Sequence, residues 1–545
     1  MKKIILGNII TVEDNQTRAE AVVVNDGIIE YVGSKEEALK LKDNNTEIMD
    51  YGNNYIYPGF IESHCHGFFA GYRSLGQIDL SNCLGDYSTY VPVIKKYLED
   101  HPGRDYYMAF GWNEVYGEID HTYLDNISNE VPLILNTSGG HSCLLNIKGM
   151  KKFGINEDLV KQFGTTRVHV YPDGKPTGYV CEEAAVKLLG DIEVKYEDAK
   201  EYILDWQRIA LSKGFTACVD AGAELIFKKA NEAYHELETE NKLKLRTLSF
   251  SLVKDNESNT KEAINKILEI KKNYDGEYFK TIGAKAFLDG VAEARTSWTI
   301  NEYKDENSYY GVQRFSDQNK MVNLITEASK QGLSVHVHSE GDGATKFMLE
   351  CIKKSQNETK DLDQRNIIAH LHYVQKEDFK NMATTNTIPL VPPLWTPAFP
   401  GVVERETNIF GKEMATNTYP IKSFLDEGCK ICFHSDYPIS PLLDISRSIY
   451  MAENRKIPNS EEIERGLSDT SNNTKECIDR MNALKAVTIN CAYAVKEENR
   501  MGSIKKGKLA NLTVLDKDLL NDPAAEILKA KTVVTIIDGN EVYKG

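Results

Sequence analysis

The chain has 545 residues, 41 % of them hydrophobic and 27 % charged, with a formal charge of −16. That length suits one large domain with an accessory domain. The acidic balance argues against a nucleic-acid partner or an anionic membrane surface, both of which call for a basic face, and no apolar run approaches the length of a membrane span.

In chain order, the first segment, Met1 to Ile10, has two lysines and a few apolar residues. Asn8 interrupts the run, Glu13-Asp14-Asn15 follows, and no small-residue cleavage site appears, so it reads as a β-strand rather than a signal peptide. Residues 3–11 and 21–33 read as strands around an Asn25-Asp26-Gly27 turn, and residues 509–516 and 533–543 repeat the pattern at the other end. Each end is too short to bury a sheet face. The two are therefore expected to pair into one small β-domain built from residues 1–56 and 491–545.

Between them, strands over 213–221, 279–288, 333–339, 366–371, 387–393 and 430–435 alternate with helical stretches over 197–213, 225–239, 260–273, 318–331 and 343–355. This alternation implies parallel strands with crossover helices. Residues 57–490 form that domain, with an insertion expected around 75–200, where the alternation fades. The ten scattered cysteines suggest reduced thiols in the cytoplasm. Cys429 and Cys432 have metal spacing, but no second pair accompanies them and they run into a strand, so they read as buried thiols.

The chemistry starts at Pro58-Gly-Phe-Ile-Glu-Ser-His64-Cys-His66, an apolar strand ending in two histidines one residue apart. Side chains at i and i+2 of a strand point to one side, so both imidazoles can reach one metal from the C-terminal end, where a (β/α)8 barrel keeps its chemistry. Neutral imidazoles suit Zn, Fe, Mn or Ni. Lys285, His338, His370, His372 and Asp436 follow in strand-end settings. A lysine facing a barrel interior is costly unless it is paired, for instance with Asp289, or neutralised. Reaction with CO2 is one remedy, because it yields a carbamate that serves as an oxygen ligand. His336 shares a face with His338, and His370 with His372, so within each pair one side chain can bind metal and the other orient it. His434 is expected on the same side as Asp436.

Taken together, these residues resemble the amidohydrolase superfamily, in particular the branch that includes the N-substituted formamide deformylases. The resemblance also rests on Gly140-His141-Ser142, Pro176-Thr-Gly178 through Glu182, Gly214 through Asp220, Asp289-Gly290, Gly341-Asp342, Ser435-Asp436-Tyr-Pro438 and Gly502 through Asn511, in order along essentially the whole chain. It implies an α/β fold: a (β/α)8 TIM-like barrel with a small β-sandwich domain built from both termini. It implies one or two divalent ions, most often Zn, held by His64, His66, Lys285 (carboxylated), His338, His370 and Asp436. The chain departs from the branch at Ala369, where Glu is common, at His372, where Gln is common, and at Asn511, where Asp is common.

The chemistry that follows is hydrolysis of a C–N bond in a small amide by metal-activated water, with Asp436 as general base. His141, on a glycine turn, is the candidate oxyanion donor or substrate contact; the plainer alternative is a turn histidine in water. Glu182 either touches substrate or belongs to a solvated Glu182-Glu183 pair. Trp112 and Trp395, among several aromatics near the motifs, are candidates to line an apolar pocket. Deamination or cyclic-amide hydrolysis is the alternative reaction, disfavoured by Lys285, and a non-catalytic binding protein on this fold is the third reading. The expected partner is a small molecule, with homodimerisation left open.

Overall fold

The computed structural model describes residues 1–545 except 82, 84, 85, 115, 116, 138–141, 191, 226, 400 and 468, and except the side chains of Glu183 and Val186. The chain forms two compact units. The larger comprises Met1–Gly67, Gln207–Leu225 and Asn231–Gly545, and the smaller comprises Phe68–Trp206 and Ile226–Ala230.

An eight-stranded sheet organises the larger unit. Its strands are β1 (Phe60–Cys65), β2 (Phe215–Asp220), β3 (Arg246–Leu252), β4 (Phe279–Phe287), β5 (Ser334–Ser339), β6 (Ile367–His370), β7 (Ile388–Val391) and β8 (Cys432–Phe433). Each pairs in parallel with the next in chain order. Every residue of β1, β2 and β5 is buried, as expected where crossover helices cover the outside and side chains fill the inside. The helices include Thr260–Tyr274, Gln318–Lys330 and Asp342–Thr359. The first two are started by side-chain caps from Asn259 and Asp317.

The strand expected over 430–435 is a strand only at Cys432–Phe433, because the chain then turns away from β7 toward β1. There the Asp436 amide donates to the His64 carbonyl (3.1 Å) and the His66 amide to the Tyr437 carbonyl (2.9 Å). The Ser63 hydroxyl donates to the Phe433 carbonyl (2.6 Å). These bonds join β8 back to β1, and the fold is a (β/α)8 barrel. The helix expected from residue 225 starts at Ala230, after a short 3-10 turn at Ala223–Leu225.

Both termini supply a second, seven-stranded sheet, the β-sandwich domain. Within it Glu47–Pro58 pairs in parallel with Lys2–Ile10 and antiparallel with Leu512–Leu515. Its buried face gathers Ile5, Ile9, Val22, Val24, Ile56, Leu512, Val514 and Ile536. Glu47–Pro58 runs through Gly59 straight into β1. The smaller unit has its own six-stranded sheet. Alternate residues of its strands feed opposite apolar clusters: Tyr107, Ala109, Leu133 and Leu135 on one face, Met108 and Ile134 on the other.

Gly59 sets how closely β1 approaches β2. A Cβ there would lie 2.1 Å from Thr216 Oγ1 and 2.7 Å from Thr216 Cβ. Gly59→Ala must therefore push β1 away from β2. It is expected to lower stability by about 1–3 kcal/mol, read as a lower urea midpoint. An unchanged midpoint would show that the β1–β2 spacing is soft.

Candidate metal centre

At the end of β1, past an irregularity in its pairing with β2, His64 and His66 stand two residues apart and turn to one side. His64 Nε2 and His66 Nε2 each lie 3.3 Å from Asp436 Oδ1. Among the described residues, ligand atoms of His64, His370 and Asp436 converge to within 4.8 Å of one another. The His338 ring packs 4.4 Å from His370, centroid to centroid, and Lys285 sits level with His336 on the neighbouring strand. His370 and Asp436 both have left-handed backbones, with φ of 81° and 56°. Such conformations are costly for non-glycine residues and collect at functional sites. The bonds from Leu371 N to Ser339 O (3.0 Å) and from Asp436 N to His64 O hold these turns in place.

Supporting groups fix the ring orientations. His64 Nδ1 lies 2.8 Å from His336 Nε2, and His338 Nδ1 lies 3.2 Å from Asp289 Oδ1. Asp289 also accepts the amides of Trp298, Glu340 and Gly341, and this consumes the carboxylate that Lys285 would need for an ion pair. Glu62 accepts the amides of His64 (3.1 Å) and Ser435 (3.1 Å) and the Ser435 hydroxyl (2.8 Å), so one carboxylate ties β1 to the chain just before Asp436. Burial pushes the Glu62 carboxyl up to about 7 against the pull of those donors.

The electrostatics follow from dryness. Burial, reinforced by neighbouring groups, holds His64, His336 and His370 well below the ordinary imidazole range, so they are neutral, the form that binds metal. Burial likewise draws His434 down to about 4. It lowers Lys285 to about 7, against the opposing pull of Asp436. For Asp436 itself burial works the other way, but His66 and the imidazoles of His370 and His434 outweigh it and keep the carboxyl well below its usual value.

A cluster of orphaned atoms results. Lys285 Nζ, His336 Nδ1, His370 Nδ1, both nitrogens of His434 and Asp436 Oδ1 are buried with no hydrogen-bond partner. Unsatisfied buried polar atoms are rare unless a site is built for something else. Imidazole, carboxylate and a neutral lysine form a donor set that fits a divalent transition ion.

The other sequence candidates play other parts, belong to the smaller unit or fall outside the described residues. His372 turns from the cluster toward Glu340 (3.8 Å) and Glu406 (3.5 Å), with its ring stacked between Tyr373 and Tyr419. Burial opposes its charge, yet the two carboxylates raise it to about 10. Trp395 lies parallel over His370, 5.7 Å between centroids at 6°, and so walls the cluster. Glu182 and Trp112 belong to the smaller unit; Trp112 is buried there, its indole donating to the Tyr87 hydroxyl (3.2 Å). His141 lies outside the described residues. The Cys429 thiol donates to the Phe379 carbonyl, and Cys432 packs in the barrel core. Glu62 was not among the sequence candidates.

Comparisons agree with this architecture. A model of the amidohydrolase family matches residues 47–543. The chain is 24 % identical to the N-substituted formamide deformylase of Arthrobacter pascens, over 98 % of this chain and 97 % of that protein. It is 24 % identical to the protein LONG AFTER FAR-RED 3 of Arabidopsis thaliana, over 98 % and 90 %. An uncharacterized metal-dependent hydrolase from Pyrococcus horikoshii OT3 superposes with a TM-score of 0.77 at 21 % identity, covering 96 % of this chain and 99 % of that one.

Replacing Glu62 with Ala strands three buried donors. Each unsatisfied group costs about 1–3 kcal/mol. The metal-stripped variant should melt well below the metal-stripped parent and retain less metal on dialysis, and Glu62→Gln, which keeps one acceptor oxygen, should fall between. Equal melting of Glu62→Ala and parent would remove Glu62 from this role.

Proposed function

The chain belongs to the amidohydrolase family, and we propose that it is a metal-dependent hydrolase that cleaves the C–N bond of a small amide. The observation that carries this reading is the convergence of His64, His370 and Asp436 beside a buried, unpaired Lys285. His64, His66, Lys285, His338, His370 and Asp436 would hold one or two divalent ions, with Zn the first candidate. A bound ion supplies the acidity that ionises water near neutral pH and polarises a carbonyl.

The chain's own residues do the rest. Asp436 is ionised and stands at the mouth beside His66, where it accepts the proton of the attacking water and returns it to the leaving nitrogen. Trp395 and Phe287 offer aromatic surface beside the cluster, and this suits an amide with an apolar substituent, as the formamide deformylase relative suggests. The products are a carboxylic acid and an amine. Because Lys285 is neutral above about pH 7, its amine can add to CO2 and lose a proton to give the carbamate, an anion in place of a stranded amine. All ten cysteines are free, and no helix of the described residues is long and apolar enough to cross a membrane. We read the compartment as cytoplasmic.

Two outcomes test this. Metal loading of stripped protein should need bicarbonate and should improve as pH rises through 7, since only the neutral amine reacts. In Lys285→Ala the bicarbonate dependence should vanish along with a metal equivalent, as counted by inductively coupled plasma mass spectrometry. Loading that ignores bicarbonate would leave Lys285 an unmodified lysine. On a panel of small N-substituted amides, Asp436→Asn should keep most of its metal while kcat falls by about 10²–10⁴-fold. A panel with no hydrolysed member, offered to metal-replete protein, would overturn the proposed reaction.

A further inference from the structure

The metal ligands proposed above leave His434 without a task. It precedes Asp436 by two residues and is 2 % exposed. Its ring centroid lies 5.2 Å from His64, 5.0 Å from His370 and 5.9 Å from Trp395. Neither of its nitrogens has a hydrogen-bond partner. A neutral imidazole carries one donor and one acceptor, and burying both unsatisfied is expensive. Such a ring belongs where another molecule completes it.

His434 stands outside the residues proposed above to hold a metal. The converging set of ligand atoms among the described residues is His64, His370 and Asp436, and His434 is not part of it. Ligand imidazoles usually have their second nitrogen fixed by a partner, as His64 does at His336 and His338 at Asp289, while His370 leaves only Nδ1 unpartnered. His434 has no such partner. The rings that face it are those of His64, His370 and Trp395, and the hydrolysis proposed above brings its reacting group to this cluster.

We propose that His434 is a further catalytic residue of the amide hydrolysis proposed above: its ring N–H donates to the carbonyl oxygen of the substrate. The bond strengthens as the reaction proceeds. When the water oxygen bonds to the carbonyl carbon, the C=O electron pair moves onto oxygen, and the water proton passes to Asp436. Collapse re-forms C=O and breaks the C–N bond, and the leaving nitrogen takes the proton that Asp436 holds. His434 keeps its own proton throughout, so its part is to stabilise charge that develops on oxygen, the task of an oxyanion-hole donor.

The test uses full-length, metal-replete protein with acetohydroxamate, a small oxyanion that binds divalent metals, as the probe. Wild type, His434→Ala and His434→Gln are compared by calorimetry, with metal content measured on the same samples. His434→Ala should hold wild-type metal yet bind the probe about 10- to 100-fold more weakly, and His434→Gln, which keeps an N–H donor, should recover most of the loss. With N-benzylformamide, where it is hydrolysed, kcat of His434→Ala should fall by about 10²–10³-fold with little change in KM. Unchanged probe affinity in His434→Ala would overturn the proposal. So would the loss of a metal equivalent, which would make His434 a ligand, or a metal-replete wild type that fails to bind the probe. Because probe binding needs no turnover, a protein that hydrolyses no amide would defeat the proposed reaction while this comparison still reads the role of His434.

Discussion

The barrel must close on a strand two residues long. β8 is too short to form a ladder with β1, so the closure falls to a few bonds from residues that also carry the chemistry. The backbones of His64 and His66 receive and donate the closing hydrogen bonds, Asp436 and Tyr437 are their partners, and the Glu62 carboxylate gathers the adjacent donors. The seam and the site are thus one structure. This is why Asp436 can keep a left-handed backbone: its amide is held by His64 at the one point where the strand order ends.

A second constraint follows from depth. Side chains that face a packed barrel interior lose water, and the charged forms of lysine and histidine lose most. Several imidazoles and an amine in that interior are therefore neutral nitrogen donors with lone pairs to offer, surrounded by too few hydrogens to satisfy them. A protein that evolved only for stability would fill this volume with aliphatic groups. The same burial that makes the cluster unstable as protein makes it suitable for a cation. His372 shows the contrast: two residues beyond His370, it meets two buried carboxylates and is held charged instead.

Much of this could be read from the sequence, for definable reasons. His64 and His66 stand out because strand periodicity places them on one side. The parallel strands carrying Lys285, His338 and His370 are recognisable as apolar runs between amphipathic helices, and the terminal strands pair as their turn residues suggest. β3, Arg246–Leu252, was missed: Thr247, Ser249 and Ser251 alternate with Leu248 and Phe250, which pack in the barrel core, so it lacks the continuous apolar run of its neighbours and ends on no histidine. The choice between His370 and His372 depended on a positive φ at His370, which periodicity cannot foresee. Glu62 was invisible as a support because its partner Ser435 is hundreds of residues away in sequence and only barrel closure brings them together; His336 was legible as an orienting residue, but its partner is His64 on β1 rather than its neighbour His338. Trp112 looked like a pocket aromatic because it stands beside a motif, but it ends a strand in the core of the smaller unit.

The central claim is that this cluster is a metal centre. Anomalous X-ray diffraction from crystals of protein purified without chelator, with data on both sides of the zinc edge, tests it most directly. The account predicts one or two strong anomalous peaks within coordination distance of His64, His370 and Asp436. Clean density there with no anomalous signal, from protein whose solution contained transition metals throughout, would contradict it.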